Sequence, residues 1–200
     1  MRNAKATKER ILEAALAEFS AHGIAGARVD RIAQAAGCNK NLIYIYFEDK
    51  ETLFTTVLRK HLMRIHEEQP FTPDDLPGFA ARVFDWALAN PDLMRLMAWS
   101  ALEQQAKDKT ERVAALEGKV AALTEAQNAG RVGTAFPPDF LLIAVMSLAT
   151  AWSAASPIGP SLAPKAAERT AALRESIFEA VRLLANAGMR SRAQGRSKSR

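Results

Sequence analysis

The sequence predicts an all-α protein in two parts: an N-terminal three-helix unit carrying a helix-turn-helix, and a larger C-terminal helical bundle. Three observations predict it. Apolar residues recur at helical spacing along most of the chain. Strand-like alternation is absent, and the glycines and prolines cluster between the periodic segments. With 200 residues, the chain has room for a small domain joined to a larger one.

The first helix covers about Ala4 to Ala21, striped by Ile11, Leu12, Ala15, Leu16 and Phe19, and His22-Gly23 ends it as a glycine cap would. A short helix follows at Val29–Ala36, with Val29, Ile32, Ala33 and Ala36 turned inward. Gly37 breaks the chain, and a second short helix covers Lys40–Tyr46. Asp49 has the chemistry of an N-cap for a long helix from Lys50 to about Glu67, striped by Phe54, Leu58, Leu62 and Ile65. Prolines and acids between Pro70 and Pro77 mark a connection to five further helices, at 77–89, 91–106, 109–128, 138–154 and 165–187. Asn90-Pro91 reads as a cap followed by proline at the first helical position. Gly130 to Pro138 and Ser156 to Pro164 read as loops. The chain thus divides into residues 1–50, 51–188 and 189–200. The last is a basic tail with almost nothing apolar to bury, and is expected to be disordered.

The formal charge of +5 is unevenly spread. Residues 1–50 hold eight Lys/Arg against six Asp/Glu, residues 51–189 hold fourteen against sixteen, and the last eleven hold five basic residues and no acid. A basic N-terminal module on a slightly acidic body is compatible with nucleic-acid binding. Cys38 is the only cysteine, so no intrachain disulfide forms. The most apolar run, Phe140–Trp152, has thirteen residues, short of the roughly 20 that span a bilayer. The polar, basic N-terminus lacks the apolar core of a signal peptide. A cytoplasmic protein with no membrane partner is expected.

Two short helices around a glycine turn, braced by a preceding helix, make a helix-turn-helix. In its second helix Lys40, Asn41, Leu42, Tyr44, Ile45 and Tyr46 fall on outward positions, while Ile43 and Phe47 point inward. Lys and Asn donate to base edges or phosphates, Leu touches a thymine methyl, and Tyr hydroxyls bond phosphate oxygens. A solvated surface helix with amphipathic tyrosines fits the same pattern, and the residues alone leave both readings open.

Thr7-Lys8-Glu9-Arg10-Ile11-Leu12-Glu13-Ala14-Ala15, then Phe19, Gly23 and Val29 through Lys50 closely resemble the DNA-binding domain of the tetracycline-repressor (TetR) family. Ile32-Ala33, Ile43-Tyr44-Ile45-Tyr46-Phe47 and Lys50-Glu51-Thr52-Leu53 meet the pattern of that family, and the match covers about residues 7–58. The resemblance implies a homodimeric transcriptional regulator that binds a double-stranded DNA operator. It places Arg28 and Asp30 near the backbone or groove edge and Lys40, Asn41 and Leu42 at base-reading positions. Tyr44, Ile45 and Tyr46 then meet phosphates or thymine methyls, and Lys50 meets a phosphate at a helix N-terminus. Two positions depart from the pattern: Arg28 stands where Ser or Thr commonly caps, and Asn41 replaces a frequent Gly or Pro.

The remaining chemistry is sparse. Cys38 suits a core role, and His61 and His66 lie about 140° apart around a helix, too far to share a metal. No nucleophile elbow, glycine-rich phosphate loop or zinc-ligand spacing is present, so neither an enzyme nor a cofactor is expected. Among the large apolar side chains of the later helices, most of them core, Trp86, Met94, Met97, Trp99, Phe140, Met146 and Trp152 are candidates to line an effector cavity for an apolar or aromatic small molecule. The helix at 138–154 is apolar nearly all round and must be covered on every side. Leu141, Val145 and Leu148 there, with Leu173, Ile177, Val181 and Leu184 in the last helix, are expected to form a two-fold four-helix bundle with a twin subunit. The alternative is that both helices are internal. The function expected from the whole is a repressor released from a near-palindromic operator by its effector, with the helix from Lys50 as the lever.

Overall fold

The computed structural model describes residues 2–102, 109–162 and 169–189. Among them the chain forms α1 (Arg2–Gly26), α2 (Val29–Ala36), α3 (Lys40–Phe47), α4 (Lys50–Glu68), a 3-10 turn (Pro73–Asp75), α5 (Leu76–Ala89), α6 (Pro91–Leu102), α7 (Lys109–Asn128), α8 (Pro138–Thr150), α9 (Gly159–Leu162) and α10 (Thr170–Asn186). The described residues contain no strand. None of their helices is long and apolar enough to cross a membrane.

Two apolar cores organise these helices. In the first, Ile11, Leu12, Ala15 and Phe19 of α1 meet Ile32 and Ala33 of α2, Ile43 and Phe47 of α3, and Leu53, Phe54 and Val57 of α4. Phe19 and Phe54 pack edge to face, their centroids 5.2 Å apart. Leu93 and Leu96 of α6 are buried in this same core. The packing that holds the recognition helix therefore continues past residue 50, through α4 and into α6. In the second core α5 is flanked by α8 and α10, and α7 lies against α8. Arg174 of α10 ties to Asp85 of α5 at 2.7 Å.

Several boundaries differ from the expected ones. α1 continues beyond Ala21 through a kink at Gly23, whose φ of 64° and ψ of −175° are open essentially to glycine alone. α8 ends at Thr150 rather than 154, because the chain turns back there. Gly159 approaches the Ala151 carbonyl so closely that a Cβ would lie 2.1 Å from it, and α9 occupies the expected loop. The predicted ends of the helices at 91–106 and 165–187 fall partly in 103–108 and 163–168, outside the described residues. So does nearly all of the basic tail, at 190–200.

Four of the seven side chains assigned to a twin subunit need correction. Leu141, Val145, Ile177 and Val181 are each at most 2% exposed, and they pack into the chain's own second core. Leu148, Leu173 and Leu184 lean on the same core, half-buried. The cause is α5, which lies between α8 and α10 and takes the faces that the sequence reserved for a partner. The outward apolar side chains are instead Phe140 and Ile143 on α8 and Leu183 on α10. Phe140, also a cavity-lining candidate, is half-exposed and stacks on Phe136, centroids 5.4 Å apart.

Candidate nucleic-acid interface

The interface is built from α2 outward. α2 has no side-chain cap of its own, since Arg28 stands at the N-cap position without bonding the first turn. Both of its ends are instead held from α1. Glu18 accepts from the Arg28 backbone N–H at 2.9 Å and from Arg31 Nε at 2.7 Å. Arg10 Nε donates to the Ala36 carbonyl at 3.1 Å. A carboxylate at the helix N-terminus and a guanidinium at the C-terminus both complement the helix dipole. Burial pushes the Glu18 carboxyl up, but the Arg31 guanidinium and the Arg28 N–H outweigh it and hold the group below its usual range.

The turn into α3 is closed by backbone bonds. Gly37 adopts a left-handed conformation with φ 62°, its N–H donates to Gln34, and the Cys38 N–H donates to Ala33. This is the paired C-terminal bonding of a Schellman turn. Asn39 then caps α3 by accepting from the Asn41 N–H at 2.9 Å. Ile43 and Phe47 anchor α3 in the first core, and the Lys8 ammonium sits 5.3 Å above the Phe47 ring. Asn41, Tyr44 and Ile45 consequently face solvent, Ile45 at 73% exposure. Leu42 and Tyr46 are half-buried. Tyr46 was expected on the outer face, but its ring packs against the first core, edge to face with Phe47.

Between α3 and α4 the backbone is strained. Glu48 has φ 65° and ψ −60°, and the Asp49 N–H donates to the Phe47 carbonyl at 2.7 Å, which is the geometry of a γ-turn. Holding a non-glycine residue there costs about 1–3 kcal/mol. Asp49 next caps α4, accepting from the Thr52 N–H at 2.6 Å.

These connections leave an open cleft of about 390 Å³ where the N-termini of α2 and α4 meet α3. Arg28, Asp30, Lys40, Tyr44 and Lys50 all line it. Lys40 Nζ lies 2.9 Å from Asp30 Oδ1. The hydrogen bond between them holds Asp30 below and Lys40 above their usual pKa ranges. Lys50 Nζ donates to the Ala27 carbonyl at 3.3 Å. Two helix N-termini, the basic Arg28, Lys40 and Lys50, the acidic Asp30, Asp49 and Glu51, and the Tyr44 phenol line this open face; with Lys40 paired to Asp30, Arg28, Lys50 and Tyr44 are the groups able to take phosphate oxygens. The structure brings Arg28, Asp30, Lys40, Tyr44 and Lys50 together; Asn41 and Ile45 extend the face along α3, and Leu42 and Tyr46 sit at its edge.

The effector candidates are not gathered in one place. Trp86 and Met97 pack against the first core, whereas Met146 and Trp152 pack against the second; Met94 is buried. Trp99 Nε1 donates across to the Ser20 carbonyl of α1 at 3.2 Å, three residues before the kink. Trp86 Nε1 is buried without a hydrogen-bond partner. Sequence reasoning missed Glu18, Arg10 and Arg31, whose partners lie 10 to 26 residues away, beyond any local signal. Asn39 was legible as a capping residue type before a helix but was not singled out.

Comparison with known proteins covers both halves of the chain. Residues 11–57 match the family described as bacterial regulatory proteins, tetR family, and residues 75–182 match the tetracyclin repressor-like C-terminal domain. The HTH-type transcriptional repressor SCO4008 of Streptomyces coelicolor is 39% identical over 185 residues, 90% of this chain and 96% of the relative. The HTH-type transcriptional repressor NicS of Pseudomonas putida is 30% identical over 145 residues, 68% of either chain. Among solved structures, the regulator SCO4942 of Streptomyces coelicolor superposes with a TM-score of 0.78 at 36% identity, covering 88% of this chain and 96% of its own. FadR of Bacillus subtilis, solved in complex with stearoyl-CoA, shares the fold at 18% identity, with a TM-score of 0.63 and coverage of 88% of this chain and 97% of its own. The family match to the helical body, together with identity that runs nearly end to end, makes this chain a member of the TetR family and a DNA-binding transcription regulator rather than an enzyme.

Proposed function

We propose that the protein is a cytoplasmic homodimeric repressor that holds a near-palindromic operator and releases it on binding an apolar or aromatic small molecule. The observation that carries the reading is the exposed face of α3 beside the cleft at the N-termini of α2 and α4. Asn41 and Ile45 stand free to meet base edges and thymine methyls, while Arg28, Tyr44 and Lys50 are grouped to grip phosphates. The dimer forms through the outward faces of α8 and α10, around Phe140, Ile143 and Leu183, rather than through the buried stripe.

Release follows from the junction. α4 begins beside the DNA face, and α6 inserts Leu93 and Leu96 into the same core while Trp99 bonds α1. An effector seated near Trp86 and Met97 displaces α6, and with it α1 and α4, changing the separation of the two recognition helices. A coupling of about 1–3 kcal/mol suffices for a 5–150-fold change in operator affinity.

Selection from random DNA tests the reading. It should return a near-palindrome with half-sites about one helical turn apart, roughly 34–36 Å, or somewhat wider. Lys50→Ala should weaken binding to all sequences and lower the salt slope by about 0.9 per lost phosphate contact. Asn41→Ala should instead relax one or two base pairs at a cost of about 1–3 kcal/mol. Recovery of single, unrepeated motifs would refute the dimeric reading.

A further inference from the structure

Asp30 and Lys40 form a contact that phosphate binding does not use. Asp30 is the second residue of α2 and Lys40 the first of α3, and their side chains are 60% and 43% exposed. Three carboxylates line the cleft, Asp30, Asp49 and Glu51, and of these Asp49 caps α4 while Asp30 is held by Lys40.

The donor inventory suggests a task for the pair. An ammonium has three protons, and one is given to Asp30 Oδ1. Two remain. A carboxylate is acceptor-only with two oxygens, so Oδ2 also remains open. With the ion pair intact, the couple therefore offers two donors followed by one acceptor. The major-groove edge of a G·C pair presents the complement in order: the guanine N7 and O6 acceptors, then the cytosine N4–H donor. An A·T pair places its donor between two acceptors and does not match.

We propose that Asp30 and Lys40 act as one reading unit for a single G·C base pair, Lys40 donating to guanine N7 and O6 and Asp30 accepting from cytosine N4–H. This rests on the reading that α3 enters the major groove. Tyr44, one turn along α3 in the same cleft, together with Arg28 and Lys50, supplies the phosphate contacts that set the register. The pair is formed before DNA arrives, so neither side chain has to search for its place.

The test is selection from random DNA with the full-length wild type, Lys40→Ala, Asp30→Ala and Asp30→Asn, followed by competition binding on the selected site and its single-pair variants. The wild type should select a G·C pair at which both alanine variants lose a preference of about tenfold to hundredfold. Asp30→Asn leaves one oxygen where the unit uses two and puts an amide donor in the second place, so it too should lose that preference while binding all DNA more tightly. The unit is refuted if the two alanine variants relax different pairs, if the shared pair is A·T, or if Asp30→Ala tightens binding with its motif unchanged. A wild type that selects no motif would defeat the groove reading itself, and the unit with it.

Discussion

Glu18 is remote from the DNA face in sequence, yet its removal should disturb that face measurably. Its carboxylate holds the backbone N–H of Arg28, the N-cap of α2, and the Arg31 side chain, with its own side chain only 11% exposed. A hydrogen bond to a charged group contributes about 1.5–3 kcal/mol. The Arg31 arm is 44% exposed, so solvent screens that part to about 1 kcal/mol or less. Glu18→Ala should therefore cost about 2 kcal/mol, and Glu18→Gln, which keeps an acceptor for the Arg28 N–H, about 1 kcal/mol. In a chain of this size each kcal/mol lowers the melting temperature by about 2–4 °C. The pH dependence has a definite sign. The folded-state pKa of Glu18 lies below its ordinary value of 4.5, so its contribution is complete above that pH and is lost as the pH falls through the folded value. Thermal melts of wild type and Glu18→Gln should differ at neutral pH and converge on acidification. A Glu18→Ala variant that melts with the wild type at pH 7, or a gap that persists in acid, would refute the anchoring role.

Other expectations follow from single contacts. Trp99→Phe keeps a ring but removes the bond to Ser20, so it should cost about 1 kcal/mol and speed hydrogen exchange around Gly23; unchanged exchange would show that α6 does not brace α1. Ile143→Asp combined with Leu183→Asp should dissociate the dimer in sedimentation while each chain stays folded. Leu141→Ala should lower stability by about 2–5 kcal/mol without changing the subunit count, because its side chain is internal. Phe54→Ala should cost about 3–5 kcal/mol, read by denaturant unfolding, since it empties the contact with Phe19.

What could be read from the sequence was what repeats or acts locally. The stripe through Ile11, Ala15 and Phe19 shows its period, and Asp49 sits next to the helix it caps, so both were legible. α8 posed a different problem. It is apolar nearly all round, and periodicity has no direction to report when every face qualifies; only the position of α5 separates buried Leu141 from exposed Ile143. Tyr46 was misplaced for a related reason, because an amphipathic ring suits either the groove or the core edge until its neighbours are known. The pinning of α2 by Glu18 and Arg10 is purely tertiary and left no trace in local spacing. Among the site residues, type and position were legible for Lys40 and Lys50, but their present partners, Asp30 and the Ala27 carbonyl, were not.

The γ-turn at Glu48 bears on how such a protein changes its target. The turn before α3 and the three-residue turn after it are both closed by main-chain hydrogen bonds. The pitch of α3 against α4 is set by main-chain atoms, and those are indifferent to the side chains facing outward. On the reading proposed for α3, Asn41 and Ile45 can be exchanged like type in a fixed frame, each altering the word recognised and neither altering the angle at which it is offered. On that reading new operators are reachable by substitution at exposed positions, without any compensating change in the core.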